Sequence, residues 1–157
     1  MNPDFNINKN NVSDKERVLE LAKKDIVSFG QLFLHEDFMK SSPAPYHYEL
    51  SNLLLDDDKK RSCIILPRGH AKSSLVKCAL LYKLYFNPEG KKEFMAWVAE
   101  EQSQAIDHIK YIQSHIEVNP ALNYYFGDIR GNKWTEKEFT TSRGDRVIAK
   151  GTSQRLR

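Results

Sequence analysis

The run Ile64-Ile65-Leu66-Pro67-Arg68-Gly69-His70-Ala71-Lys72-Ser73-Ser74 narrows the possible folds more than any other part of the chain. An apolar run breaks at a proline, a short loop carries a lysine followed by two hydroxyls, and a helix-like segment starts at once. That order builds a cradle for anionic oxygens, because loop N–H groups and the positive end of a helix both point at the ligand. In such a corner Lys72 reaches the β/γ-phosphates of a nucleotide and the Ser73 hydroxyl serves Mg²⁺. The match to G-x-x-x-x-G-K-[ST] is incomplete. Leu66 stands at the first glycine position and Ala71 at the second. Gly69 is then the residue expected to supply backbone freedom, since glycine reaches positive φ without steric cost. The plain alternative is a strand–loop–helix corner with a surface lysine. A buried-type strand before the loop and a helix after it are the context a phosphate loop requires.

The segments around this corner alternate. Residues 62–66 form a continuous apolar run, as expected for a strand buried on both faces of a parallel sheet. Residues 73–86 are apolar nearly all round, which fits a helix packed closely on that sheet. Asn87-Pro88-Glu89-Gly90 ends it, and residues 94–99 form a second buried-type strand. Ala105, Ile106, Ile109, Ile112 and Ile116 then mark another helix. Strand, helix, strand, helix implies an α/β fold with right-handed crossovers. Residues 138–141 and 146–149 read as a β-hairpin turned by Ser142-Arg143-Gly144-Asp145. Upstream, Ser13 and Glu16 fit a capping box opening a helix that Gly30 stops. Leu53-Leu54-Leu55-Asp56-Asp57-Asp58 imitates a strand ending in acids, but its leucines continue a helical period, so it reads as a solvated connector.

The 157 residues are 40% hydrophobic, enough for one domain with a sizeable core. The formal charge of +3 hides an uneven distribution: residues 128–157 hold eight Lys/Arg against four Asp/Glu. A phosphate-rich ligand could be met at that end, although a solvated basic edge produces the same bias. Two cysteines, Cys63 and Cys78, with no CxxC spacing indicate small core residues in a reducing compartment. The N-terminus lacks the basic and apolar regions of a secretory signal, and no apolar run reaches membrane-spanning length. His108 and His115 share a helix face without a third ligand and read as surface residues; Trp134 reads as core.

Several pieces in order resemble the ATPase domain of phage large terminase subunits, the motors that package viral DNA. They are Pro45-Tyr46-His47, the loop Pro67-Arg68-Gly69-His70-Ala71-Lys72-Ser73, and Ala99-Glu100-Glu101-Gln102-Ser103-Gln104-Ala105, followed by Phe126-Gly127, Trp134-Thr135 and Gly151-Thr152-Ser153-Gln154-Arg155-Leu156-Arg157. The resemblance implies a P-loop NTPase-type, mostly parallel sheet flanked by helices, incomplete at its C-terminus, with the hairpin near the end. It divides the chain into a flexible lead-in (1–12), a helical segment with an adenine-side motif (13–61) and an ATPase core (62–157).

In function it implies ATP binding with Mg²⁺, and hydrolysis coupled to driving double-stranded DNA into a procapsid. Lys72 and Ser73 fall on the family's Walker A lysine and hydroxyl, and Arg68 on its Walker A arginine. The resemblance places the cofactor among Pro67, Arg68, Gly69, His70, Ala71, Lys72, Ser73 and Ser74, with Tyr46 and His47 beside the base. Arg157 looks like the arginine a neighbouring subunit inserts in trans, with Arg155 as the fallback; a guanidinium fork suits developing γ-phosphoryl charge. The implied partners are double-stranded DNA, a portal protein, a small terminase subunit and further copies in a ring. The implied place is the host cytoplasm at the procapsid portal, without a membrane.

Two departures stand out. Ala71 replaces the family's frequent glycine before the lysine, and no Walker B strand with paired acids follows Arg157. Hydrolysis by this chain alone is therefore expected to be negligible, while ATP binding remains possible. Competing expectations are another helicase-like nucleic-acid translocase with a P-loop, or a non-catalytic truncated remnant.

Overall fold

The computed structural model describes residues 10–34, 38, 42–58, 61–88 and 90–153. Among the described residues the first helices are α1 (Asn10–Lys23), α2 (Ile26–Phe33), α3 (Pro45–Leu55) and α4 (Lys72–Phe86). Then follow β1 (Phe94–Ala99), α5 (Gln102–Val118), α6 (Pro120–Phe126), β2 (Arg130–Thr135), β3 (Glu138–Thr141) and β4 (Arg146–Gly151).

The first helical region breaks earlier than expected. Ser13 lies inside α1, so it is not that helix's N-cap. The break falls at Asp25, whose carboxylate accepts from the Ser28 N–H at 2.7 Å and from the Ser28 hydroxyl at 2.9 Å. Gly30 does not stop a helix; it lies within α2, where a Cβ would stand 2.8 Å from the Phe38 ring. Close packing, not termination, accounts for that glycine.

The sheet corrects the expected topology. Its order is β1-β4-β3-β2, and only the β1–β4 pair is parallel; β4–β3 and β3–β2 are antiparallel. The physical cause is link length. Short turns join β2 to β3 and β3 to β4, which permits only antiparallel pairing, whereas β1 reaches β4 through a crossover containing α5. The mostly parallel, P-loop NTPase-type sheet is therefore not what the chain forms. Among the described residues, 62–66 pair with no strand, and Ile65 is 87% exposed. An apolar run becomes a strand only where a neighbour offers a ladder, and β1, β2, β3 and β4 pair with one another instead. β1 is an edge strand, not a doubly buried one.

The hairpin of residues 138–151 forms as expected, with β2 added as an antiparallel edge. α5 packs on one face of β1 and β4; its Ala105, Ile109, Ile112 and Ile116 join Phe139, Val147 and Ala149 in the core. A second part of the core is aromatic. Phe29 and Phe33 of α2 meet Tyr82, Tyr85 and Phe86 of α4 and Phe126 of α6, with ring centroids 4.6–6.5 Å apart. Asn119 links these layers, donating to the Phe33 carbonyl at 2.7 Å while its side-chain oxygen caps α6.

One buried carboxylate ties the corner of the sheet together. Asp145 is fully buried and accepts from the Thr141 hydroxyl at 2.6 Å, the Asn87 amide at 3.1 Å and the Glu93 N–H at 3.0 Å. It joins the end of α4, the entry to β1 and the hairpin turn, where Gly144 adopts φ 90°. Cys78 is buried, donating toward the Ile26 carbonyl at 3.4 Å, but Cys63 is exposed, against expectation, because the segment carrying it is not in the sheet.

Candidate functional site

The loop from Pro67 to Ala71 turns the chain into α4 through two residues in the left-handed region. Gly69 has φ 81° and Ala71 has φ 53°, ψ 19°. Gly69 thus supplies the backbone freedom expected of it. Ala71 also takes the glycine-type conformation, at a cost of about 1–2 kcal/mol for an L-residue. No side chain caps the first turn of α4, so its leading N–H groups at Lys72, Ser73 and Ser74 stay available beside the loop.

Lys72 turns back over the loop. Its ammonium donates to the Leu66 carbonyl and to the Pro67 carbonyl, the latter at 2.9 Å. A cation is therefore held at the mouth of the corner by main-chain oxygens. These acceptors carry no side-chain signal, so sequence reasoning had no means of naming them. Ser73 is exposed and Ser74 half-buried on the first turn. Arg68 is exposed, and among the described residues its guanidinium has no acidic partner. His70 is fixed within the loop, its Nδ1 lying 3.1 Å from the Arg68 carbonyl.

The two residues of the adenine-side motif separate. The Tyr46 ring lies 5.8 Å from the His70 ring and borders an open groove of about 600 Å³ between α3 and residues 63–66. That volume falls in the range of ligand sites. His47 faces inward instead. Its Nδ1 accepts from the Ala44 N–H at 2.9 Å, capping α3, and its Nε2 is buried without a partner. The cavity beside it, lined by Ala71, Ser74 and Leu75 among others, holds only about 60 Å³. That space suits a few waters and not a purine. Of the pair, Tyr46 borders the open groove and His47 is a structural cap.

No group of three His, Cys, Asp or Glu suited to a metal occurs among the described residues. Ser73 offers one hydroxyl on an exposed first turn, which fits Mg²⁺ only as a single ligand completed by phosphate oxygens and water. Arg155 and Arg157 lie outside the described residues. Upstream, the Gly151 α-carbon approaches the start of α5: a Cβ there would meet the Gln102 N at 3.2 Å. Thr152 N–H donates to the Ala99 carbonyl at 3.0 Å and Gln102 donates to Ala149. Two motif segments distant in sequence, 99–105 and 151–152, thus meet at the C-terminal ends of β1 and β4.

The remaining singled-out residues have structural partners. Phe126 is in the aromatic core, and the Trp134 indole is half-buried on Phe139, donating to Glu117 at 2.6 Å. His108 is not a plain surface residue: its ring lies on Trp97 at 4.3 Å, and burial, then the Lys77 charge, hold its pKa below 6.5. His115 lies against Tyr111 and Asn119. No family model, curated protein or solved structure matches the chain. No helix among the described residues is long and apolar enough to cross a membrane.

Proposed function

We propose that residues 67–74 bind the phosphates of ATP and that the chain is the nucleotide-binding portion of a viral DNA-packaging motor of the terminase large-subunit kind. The observation that carries the first part is the loop itself. It holds Gly69 and an alanine in left-handed conformations at the entry to a fifteen-residue helix, with an ammonium seated on its carbonyls. A strained non-glycine residue persists where surrounding structure insists on it, and such positions gather at ligand clamps. The reading does not need a parallel sheet, since the loop, the helix end and Lys72 make all the phosphate contacts.

In this role Lys72 leaves the Leu66 and Pro67 carbonyls for the β/γ-oxygens. The amides of the first turn complete the cradle. Arg68, exposed at the loop, reaches the outer phosphate, and Tyr46 meets the base. Mg²⁺, when bound, neutralises phosphate charge, and Ser73 supplies one of its oxygens. Coupling to double-stranded DNA, the portal and neighbouring subunits rests on the order of sequence motifs alone.

The experiment is titration of a fluorescent ATP analogue with Mg²⁺ against wild-type chain and Lys72→Ala. Losing a charge-assisted hydrogen bond of about 1.5–3 kcal/mol weakens binding roughly ten- to a hundredfold. Equal affinity in both proteins removes the phosphate-loop assignment.

A further inference from the structure

α5 covers one face of the sheet, and on the opposite side, among the described residues, the strip along β1 is exposed. Along β1, Trp97 meets α5 through His108, while Phe94, Ala96 and Val98 alternate to the opposite side and are exposed, Phe94 by 54% and Val98 by 47%. The register extends this face. Phe94, Ala96 and Val98 lie beside exposed Arg146, buried Ile148 and half-buried Lys150 of β4, and Arg146 and Ile148 lie beside Thr140 and Glu138 of β3. Lys133 of β2 reaches Glu138 at 2.7 Å from one side and Arg146 does so from the other. This side thus grades from the apolar strip of β1, with Lys150 beside Val98, to two cations, Lys133 and Arg146, on a single carboxylate.

The exposure of β1 on that side is informative, because strands in parallel pairs are normally covered on both faces. Exposed apolar strips rimmed by charge mark interaction sites. We propose that this face docks an amphipathic helix of a partner protein, with its apolar stripe on Phe94, Ala96 and Val98 and its carboxylates on Arg146 and Lys150. Charge and shape separate this occupant from two others. A second copy stacked on the same face would bring like charge against like charge. A single-stranded nucleic acid needs rings to stack on; Phe94 is the one ring here, with the Arg146 guanidinium already 5.5 Å from its centroid, and Ala96 and Val98 offer none. An acid-flanked helix satisfies both halves of the face. The inference is independent of nucleotide binding, since none of these residues belongs to the loop.

The test follows three labelled probes by fluorescence anisotropy with the full chain: a helical peptide with a leucine stripe flanked by glutamates, the same stripe flanked by lysines, and a single-stranded oligonucleotide. The glutamate-flanked peptide binds at least about tenfold tighter than the lysine-flanked one. Phe94→Ser with Val98→Ser weakens it by roughly tenfold or more, and so, separately, does Lys150→Glu. Circular dichroism of each variant matches wild type, as expected for changes at exposed or half-buried positions. Absence of binding, equal binding of the lysine-flanked peptide, tighter binding of the oligonucleotide, or a dimer in sedimentation that disappears with Phe94→Ser would each overturn the proposal.

Discussion

Ala71→Gly puts a glycine where the phosphate-loop pattern expects one, and the structure sets the sign of its effect. Ala71 has φ 53° and precedes α4 as its N-cap. Removing the methyl relieves left-handed strain of about 1–2 kcal/mol. Glycine is also a better N-cap than alanine, by about 0.5 kcal/mol at least. The greater freedom of glycine in the unfolded chain takes back about 0.4–1 kcal/mol. The net is a stabilisation of about 1 kcal/mol, which in a chain of this length raises Tm by roughly 2–4 °C. Thermal melting by circular dichroism, paired with urea midpoints, measures it. Ala71→Val is the control, because a β-branched residue at positive φ is a true outlier and lowers Tm. If Ala71→Gly leaves Tm unchanged or lowers it, Ala71 does not occupy the left-handed conformation and the case for a strained phosphate corner fails.

Gly30→Ala destabilises by about 1–3 kcal/mol despite better helix propensity, since the new methyl meets the Phe38 ring at 2.8 Å; Phe38→Leu in the same background restores most of the loss in urea melts. Tyr85→Phe stabilises by roughly 1 kcal/mol or more, because the Tyr85 hydroxyl is buried with no partner and burial pushes its pKa well above the ordinary value; a lower urea midpoint would contradict this. For His108 the folded pKa lies below 6.5, so the unfolded chain binds more protons in the window beneath that value. Its contribution is complete above pH 6.5 and disappears as pH falls through the depressed folded value. Urea midpoints at about pH 7 and about pH 5 therefore diverge in wild type and converge in part in His108→Gln, and parallel behaviour of the two proteins would refute the assignment.

Helices α4 and α5 and the hairpin were legible because their signals are local. The apolar period of α4 and α5 and the turn residues at 142–145 specify their own geometry. What escaped depends on partners distant in sequence. Residues 62–66 carry the composition of a central strand, yet a strand exists only with neighbours, and β1 pairs on one side with β4 alone. Strand β2 escaped for the opposite reason: Arg130, Asn132 and Lys133 make a polar edge strand that no alternation announces. At the candidate site, Lys72 and Gly69 were legible from residue type. The left-handed state of Ala71 was not, since alanine is the residue that argues against it. His47 and Tyr46, adjacent in sequence, divide because successive helical positions point about 100° apart.

Asp145 gives α4 a fixed far end. The helix begins at Lys72 and runs fifteen residues to Phe86, a rod of roughly 22 Å, and Asn87 just beyond it is bound to that carboxylate. A rod anchored at one tip and bearing the loop at the other carries movement between them with little slack. Any displacement of Lys72 on ligand exchange should therefore register at residues 141–146 as altered amide exchange, far from the ligand itself.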